Sequence, residues 1–263
     1  MPRISVLMGA YNCADTIGQS IESIQMQTIT DWEMIICDDG SSDNTIEVVK
    51  EYQKNDKRII LLQNDKHRGL SYTLNHCLEF AKAEYCARMD GDDLCSPNRF
   101  EIQLNFLENH PEYSFVSSTM KRFDENGYYD EPAIGAGYEP TNMSFVKGSP
   151  FCHAPVMIKK EAYDAVGGYR VRPETLGVED YDLWFRLYAK GFKGYMLENP
   201  LYDMFDGRGA AKRRTFKRRL NEAWVRKEGY KSLNVPMIYR LMVFKPILVG
   251  LMPQWLYIRL LRR

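Results

Sequence analysis

"YCARMDGDDLCSPNRF", residues 85–100, puts three carboxylates, Asp90, Asp92 and Asp93, around one glycine directly after an apolar run. Like charges this close repel, and each one left uncompensated costs stability. A divalent cation would offset them. An acidic surface turn is the plainer alternative, because Asp-Gly is a common turn dipeptide. The flanking sequence decides between the two.

Upstream, short apolar runs alternate with helical patterns. "ISVLM" (4–8) leads into "GAYN", and then Ile17, Ile21 and Ile24 recur at helical spacing. "EMIICDD" (33–39) reads as a second strand and ends in "GSSDNT", a turn rich in helix-capping residues. "TIEVVKEYQK" reads as a helix, "IILLQ" as a third strand, "SYTLNHCLEFAKA" as a third helix and "YCARM" as a fourth strand. Near-continuous apolar strands between helices predict an α/β fold with a mainly parallel central sheet covered on both faces. In such sheets ligands bind at the carboxyl ends of the strands. "GAYN", "CDDGSSD" and "DGDD" all fall at such ends. Their convergence favours a binding site over an acidic turn.

Downstream the pattern loosens. "QLNFLENHPE" reads as a helix stopping near Pro111, and "YSFVSSTMKRF" as a strand. A hairpin turn is expected at Asn126-Gly127. "CHAPVMIKKEAYDAVGGY" reads as strand, helix and Gly-Gly stop. "GVEDYDLWFRLYAKGF" opens with acids and runs as a helix with Leu183, Trp184, Leu187 and Tyr188 on one face.

Composition bounds the rest. The chain has 263 residues, 44% hydrophobic and 27% charged, an ordinary globular balance able to bury a core. Its net charge of +0 hides an asymmetry: residues 207–263 carry 15 Lys and Arg against 2 Asp and Glu, so 20 against 33 remain in residues 1–206. A basic tail suits an anionic membrane surface or a nucleic acid. The acidic body and the lack of a nucleic-acid motif favour the membrane. The 6 cysteines include no C-x-x-C pair, which argues against zinc and fits reduced thiols in a reducing cytoplasm. The N-terminal apolar stretch is too short for a signal peptide, and no run reaches the roughly 20 apolar residues of a membrane span.

Taken in order, "ISVLMGAYNCADTIGQSIESIQMQT", "WEMIICDDGSSDNT", "GLSYTLN", "ARMDGDD" and "GVEDYDLWFRL" resemble the family 2 glycosyltransferases, which have the GT-A fold, over about residues 3–205. The region from 170 onward further resembles bacterial enzymes of exopolysaccharide, capsule and O-antigen assembly. The resemblance implies a catalytic domain at 1–206, with a nucleotide-sugar half at 1–119 and an acceptor half at 120–206, followed by a basic amphipathic helical extension at 207–263. It implies an inverting, metal-dependent transfer of a hexosyl or N-acetylhexosaminyl group from a nucleotide-sugar, UDP-linked by expectation, to a saccharide carried on a polyprenyl diphosphate. The enzyme would then work in the cytoplasm on the inner face of the membrane.

The resemblance also implies roles. Asp92 would contact Mn²⁺ or Mg²⁺, and Asp90 would assist or face the ribose. Such hard cations take oxygen ligands and keep several waters. Gly91 lets the backbone approach closely. Asp93 either contacts the donor sugar or caps the following segment. Tyr11 would stack on the base, Asp39 would accept its ring N–H, and Ala10 and Asn12 would add contacts, with Asp15 at the usual acidic position. Asp38 reads as structural. Where many members have Ala-Arg-Asn, this chain has Thr73-Leu74-Asn75, so Asn75 keeps its place and Arg68 substitutes for the missing cation. Asp180 would be the general base, with Glu179 beside it and Asp182 structural. His153 and Trp184 are candidates for the acceptor pocket. Two alternatives stay open: a nucleotidyltransferase, disfavoured because "MGAYNCADT" lacks a Gly-rich basic phosphate loop, and a non-catalytic nucleotide binder.

Overall fold

The apolar runs form the strands that their composition predicts. In the computed structural model, which describes residues 1–207 and 215–252, β1 (Ile4–Ala10), β2 (Trp32–Asp38), β3 (Ile59–Gln63) and β4 (Tyr85–Asp90) pair in parallel in the order β3-β2-β1-β4. Between them run α1 (Ile17–Gln25), α2 (Thr45–Asn55) and α3 (Leu70–Phe80). Ile17, Ile21 and Ile24 are fully buried, as their spacing requires. The parallel register sets Ala10 beside Asp38 and Gly9 beside Asp90, so the three polar clusters share one sheet edge.

The second half of the sheet is mixed. After β5 (Leu94–Cys95) and α4 (Arg99–Asn109), β6 (Phe115–Asp124) and β7 (Gly127–Asp130) form the expected hairpin. Gly127 turns it at φ 115°, a left-handed value that favours glycine. A short α5 (Ser144–Lys147) precedes β8 (Met157–Lys159), which joins β4 and β6 antiparallel. Next come α6 (Lys160–Val166), stopped by Gly167 and Gly168 at φ 71° and 66°, and α7 (Glu179–Ala189). The 12-residue β9 (Gly194–Phe205), parallel to β6 and antiparallel to β5, is not anticipated by the sequence pattern. Its "LENPLY" breaks the period-2 alternation: the register skips from Ser118–Leu197 to Thr119–Pro200. A proline within a run argues against a strand, and a bulge scrambles the faces.

One core cluster lies against each face of the sheet. On one, Trp184 is fully buried and stacked 5.1 Å from Phe115. The basic segment after residue 214 contributes to the same cluster. It forms α8 (Phe216–Ser232), whose Ala223, Val225 and Tyr230 are buried. Arg226 is buried with them, donating to the Val146 carbonyl at 3.0 Å and pairing with Glu222 at 2.9 Å. A 3₁₀ turn (Met237–Phe244) and α9 (Lys245–Leu251) follow. The cations at 208–214 and the Trp255, Tyr257 and terminal arginines expected to complete an interfacial helix pair lie outside the described residues. Among the described residues no helix is long and apolar enough to cross a membrane. None of the six cysteines is in a disulfide.

Candidate active site

On a strand, residues two apart point the same way. At the end of β4 this aims Arg88 and Asp90 together, and they form an ion pair. Arg88 is only 5% exposed. Burial works against its charge, but Asp90 and neighbouring tyrosines outweigh that and hold it firmly protonated. The backbone then turns through Gly91, where a Cβ would come within 2.9 Å of Cys13 Sγ. The turn is tied to α1: Thr16 donates to the Gly91 carbonyl and Ser20 to the Asp93 carbonyl, each at 2.8 Å.

Oxygens of Asp90, Asp92 and Asp93 lie within 4.8 Å of one another. The three carboxylates are not equivalent. Asp93 is 2% exposed and accepts the Phe205 N–H at 2.7 Å, which fastens the loop to β9. Burial, then Asp90 and Asp92, push its carboxyl well above the usual range. Asp93 thus anchors the loop to β9 rather than to the segment that follows it. Asp92 and Asp90 line a cavity of about 370 Å³ with Tyr11, Asn12 and Asp15. The donor set is all oxygen and anionic, which fits a hard divalent cation.

The loop after β1 is held against the loop after β2. Asn12, at φ 48°, donates its N–H to Ser41 Oγ at 2.9 Å and accepts the Ser42 N–H at 2.8 Å. Ala10 is buried, and its carbonyl accepts the Asp39 N–H at 2.8 Å. Asp38 turns back to accept the N–H groups of Gly40 and Ser41, a structural role. Asp39 is 3% exposed and its oxygens are engaged by Asn64 and by the N–H groups of Arg68 and Gly69. His67 Nδ1 lies 2.9 Å from Asp39, and its ring, 4.3 Å away, covers that of exposed Tyr11.

A larger cavity of about 580 Å³ adjoins the first, with Asp90 on both linings. Arg88, His153, Glu179, Asp180 and Arg218 line it. Glu179 and Asp180 begin α7, and burial raises both carboxyls above the usual range. His153 bonds the Tyr169 hydroxyl at 2.8 Å, while burial and Arg88 keep it neutral.

Two candidates lie elsewhere. Trp184 is fully buried, so it is a packing residue and not an acceptor surface. Asn75 is spent on the backbone of Tyr169, with 2.8 Å bonds in both directions, and faces a different cavity. Arg68 stays at the site's edge: its backbone N–H bonds Asp39, it lines a further cavity with Glu179, and its guanidinium pairs with exposed Asp65 at 2.8 Å. Asp182 is structural, paired with Arg186 at 2.7 Å and Arg170 at 3.1 Å. Sequence reasoning missed His67, Arg88 and Arg218. Only Arg88 left a signal, as a charge inside a strand that is otherwise apolar.

The family model described as "Glycosyl transferase family 2" matches residues 5–167. The EpsE protein of Bacillus subtilis, named as a glycosyltransferase, is 40% identical over 96% of this chain and 90% of its own length. The UDP-Glc:alpha-D-GlcNAc-diphosphoundecaprenol beta-1,3-glucosyltransferase WfaP of Escherichia coli is 29% identical over 73% of each. Among solved structures, S. aureus TarS 1–349 with UDP-GlcNAc superposes with a TM-score of 0.72 at 16% identity, over 95% of this chain and 72% of that one. The mannosyltransferase PcManGT of Pyrobaculum calidifontis, with GDP-Man and Mn²⁺, gives 0.69 at 17% identity, over 97% and 72%. At such identities the agreement is one of fold.

Proposed function

Because the chain belongs to glycosyl transferase family 2, we propose that it moves a sugar from a UDP-sugar, with inversion, onto a lipid-linked saccharide during cell-surface polysaccharide assembly. The observation that carries this reading is the pair of cavities joined at Asp90, one walled by Asp92 and the other by Asp180. In this reading the first, bordered by Tyr11 and Asp92, takes the donor's diphosphate, and the second takes sugar and acceptor. The UDP-Glc-dependent relative and the UDP-GlcNAc-bound fold neighbour support a uridine donor.

In this reading the base stacks on Tyr11 and displaces His67, whose side chain is 57% exposed, from Asp39. Asp92, with Asp90, would hold Mn²⁺ or Mg²⁺. When bound, that cation stabilises the charge on the departing diphosphate as a Lewis acid. Arg88 fixes Asp90 and keeps a positive charge beneath the donor sugar. Asp180 takes the proton of the attacking acceptor hydroxyl. That oxygen bonds the anomeric carbon as the bond to the phosphate oxygen breaks, and UDP leaves with the electron pair. Attack opposite the leaving group inverts the centre. Neutral His153 lines the acceptor side. Incubation with a panel of UDP- and GDP-sugars and Mn²⁺ should give slow UDP release from one UDP-sugar. Pyrophosphate chemistry instead would make the protein a nucleotidyltransferase, and turnover of none would leave it a binder.

The segment from 236 onward is, in the same reading, a membrane-docking extension, while α8 before it packs in the core. It presents Met237, Ile238, Leu241, Phe244, Leu248 and Leu251 to solvent beside Arg240 and Lys245. Apolar side chains flanked by cations suit an anionic interface, at about 1 kcal/mol per basic residue near the surface. The full chain should float with anionic vesicles and release in salt, and a chain ending at residue 235 should not. Equal, salt-insensitive behaviour of the two would return the segment to the core.

A further inference from the structure

The cavity that holds Asp180 has a wall with no part in the chemistry above. It is built from Thr215, Lys217, Arg218 and Asn221, at the start of α8. Two of these are committed to the fold. Asn221 donates to the carbonyls of Pro173 and Leu176 at 3.0 and 2.9 Å, and Thr215 accepts the Arg218 N–H at 3.2 Å. Lys217 and Arg218 are exposed, and neither has an ion pair among the described residues. Their neighbour Arg219, by contrast, is paired with Glu222 at 3.2 Å.

Arg218 is seated rather than loose. Its stem runs over Gly177, where a Cβ would stand 3.3 Å from Cδ. It also lines a second, polar cavity of about 280 Å³, again shared with Asp180. Arg88 lines the larger cavity from the sheet side, and its buried Nε has no hydrogen-bond partner among the described residues. Arg88 is compensated by its ion pair with Asp90, so the charged donors left to an anion on this wall are Lys217 and Arg218.

Apolar surface begins immediately beside these cations. Phe216 and Leu220 are 44% and 45% exposed, and α9 leans on the same turn: a Cβ at Gly250 would lie 3.0 Å from Phe216 and 3.1 Å from Arg219. On α9, Leu248 and Leu251 are 59% and 67% exposed. A cationic wall continuous with exposed apolar side chains matches a ligand with an anionic head and a long hydrocarbon tail.

We infer that Lys217 and Arg218 form a subsite for the diphosphate of a prenyl-diphosphate-linked acceptor, the prenyl chain leaving along Phe216, Leu220 and α9. The inference rests on the reading of Asp180 as the base. A hydroxyl held there puts the substituent on the acceptor's anomeric carbon one sugar ring away, toward this wall. The donor's diphosphate belongs with Asp90 and Asp92, in the other cavity.

The test uses the full chain and farnesyl diphosphate as probe, below its micellar concentration, by isothermal titration. The wild-type protein should bind it at least tenfold more tightly than farnesol or inorganic diphosphate. Lys217→Gln/Arg218→Gln should weaken that binding by about tenfold or more, since each charge-assisted hydrogen bond removed is worth on that order. UDP affinity in Mn²⁺ should not change. Lys231→Gln, at the far end of α8, should behave as wild type. Undiminished binding by the double variant would overturn the subsite. Loss of UDP affinity in its place would give these cations to the donor. Inorganic diphosphate binding as tightly as the farnesyl compound would remove the apolar path. None of these readouts needs turnover, so absent UDP release would count against the transferase reading and not against the subsite.

Discussion

Asp180→Asn is expected to lower sugar transfer by roughly 10²–10⁴-fold, the usual contribution of a positioned general base. Asparagine keeps the size of the side chain and removes the proton acceptor. Donor binding should hardly change, because Asp180 shares no cavity lining with Asp92 or Tyr11. The pH profile carries a second signature. Burial raises the Asp180 carboxyl, while the Tyr181 N–H, Arg218 and Arg88 pull the other way. A base works deprotonated, so the rate should fall as pH drops through that raised value, above the ordinary carboxylate range. In Asp180→Asn this acid limb should be gone. A variant with near-normal turnover and an intact acid limb would place the base elsewhere. Retained anomeric configuration, read from NMR couplings of the product, would refute single displacement.

Removal of the metal should have an effect of similar size. EDTA is expected to abolish turnover, and Asp92→Ala to reduce it on the order of 10³-fold, as several kcal/mol of charge stabilisation are lost. The variant should keep wild-type circular dichroism, because Asp92 is half-buried on a turn that Thr16 and Ser20 tie to α1. Titration of Mn²⁺ followed by EPR should show the ion lost. Asp93→Ala makes the useful contrast: it removes the acceptor for Phe205 N–H in a buried site and should destabilise the β9 edge. Full activity of Asp92→Ala in chelator would end the metal assignment.

Two expectations about named residues fail for the same reason. Trp184 follows Asp180 by one helical turn, which suggests an acceptor surface, yet the stripe it shares with Leu183 and Leu187 is the buried one. Asn75 keeps its position in the motif, but its amide clamps the turn after α6. A motif marks where a side chain starts and says little about which neighbour claims it. β9 is illegible because Pro200 and the bulge at Thr119 erase the two-residue period by which strands are recognised.

What the amino-acid sequence determined by itself was local or repetitive. Apolar periodicity set β1 to β4 and the helices between them, and parallel pairing then forces the ends of those strands onto one edge. The carboxylate trio and the acids opening α7 were legible because each is a short contiguous motif. Only the tertiary structure decided which of these groups meet. Arg88 under Asp90, His67 over Tyr11, and Arg218 beside Asp180 join residues that no single motif brings together. No spacing rule spans the distance from 180 to 218. That meeting depends on α8 burying Val225 and Tyr230 against the core, because the energy that seats the helix comes from apolar contacts remote from the charges it delivers.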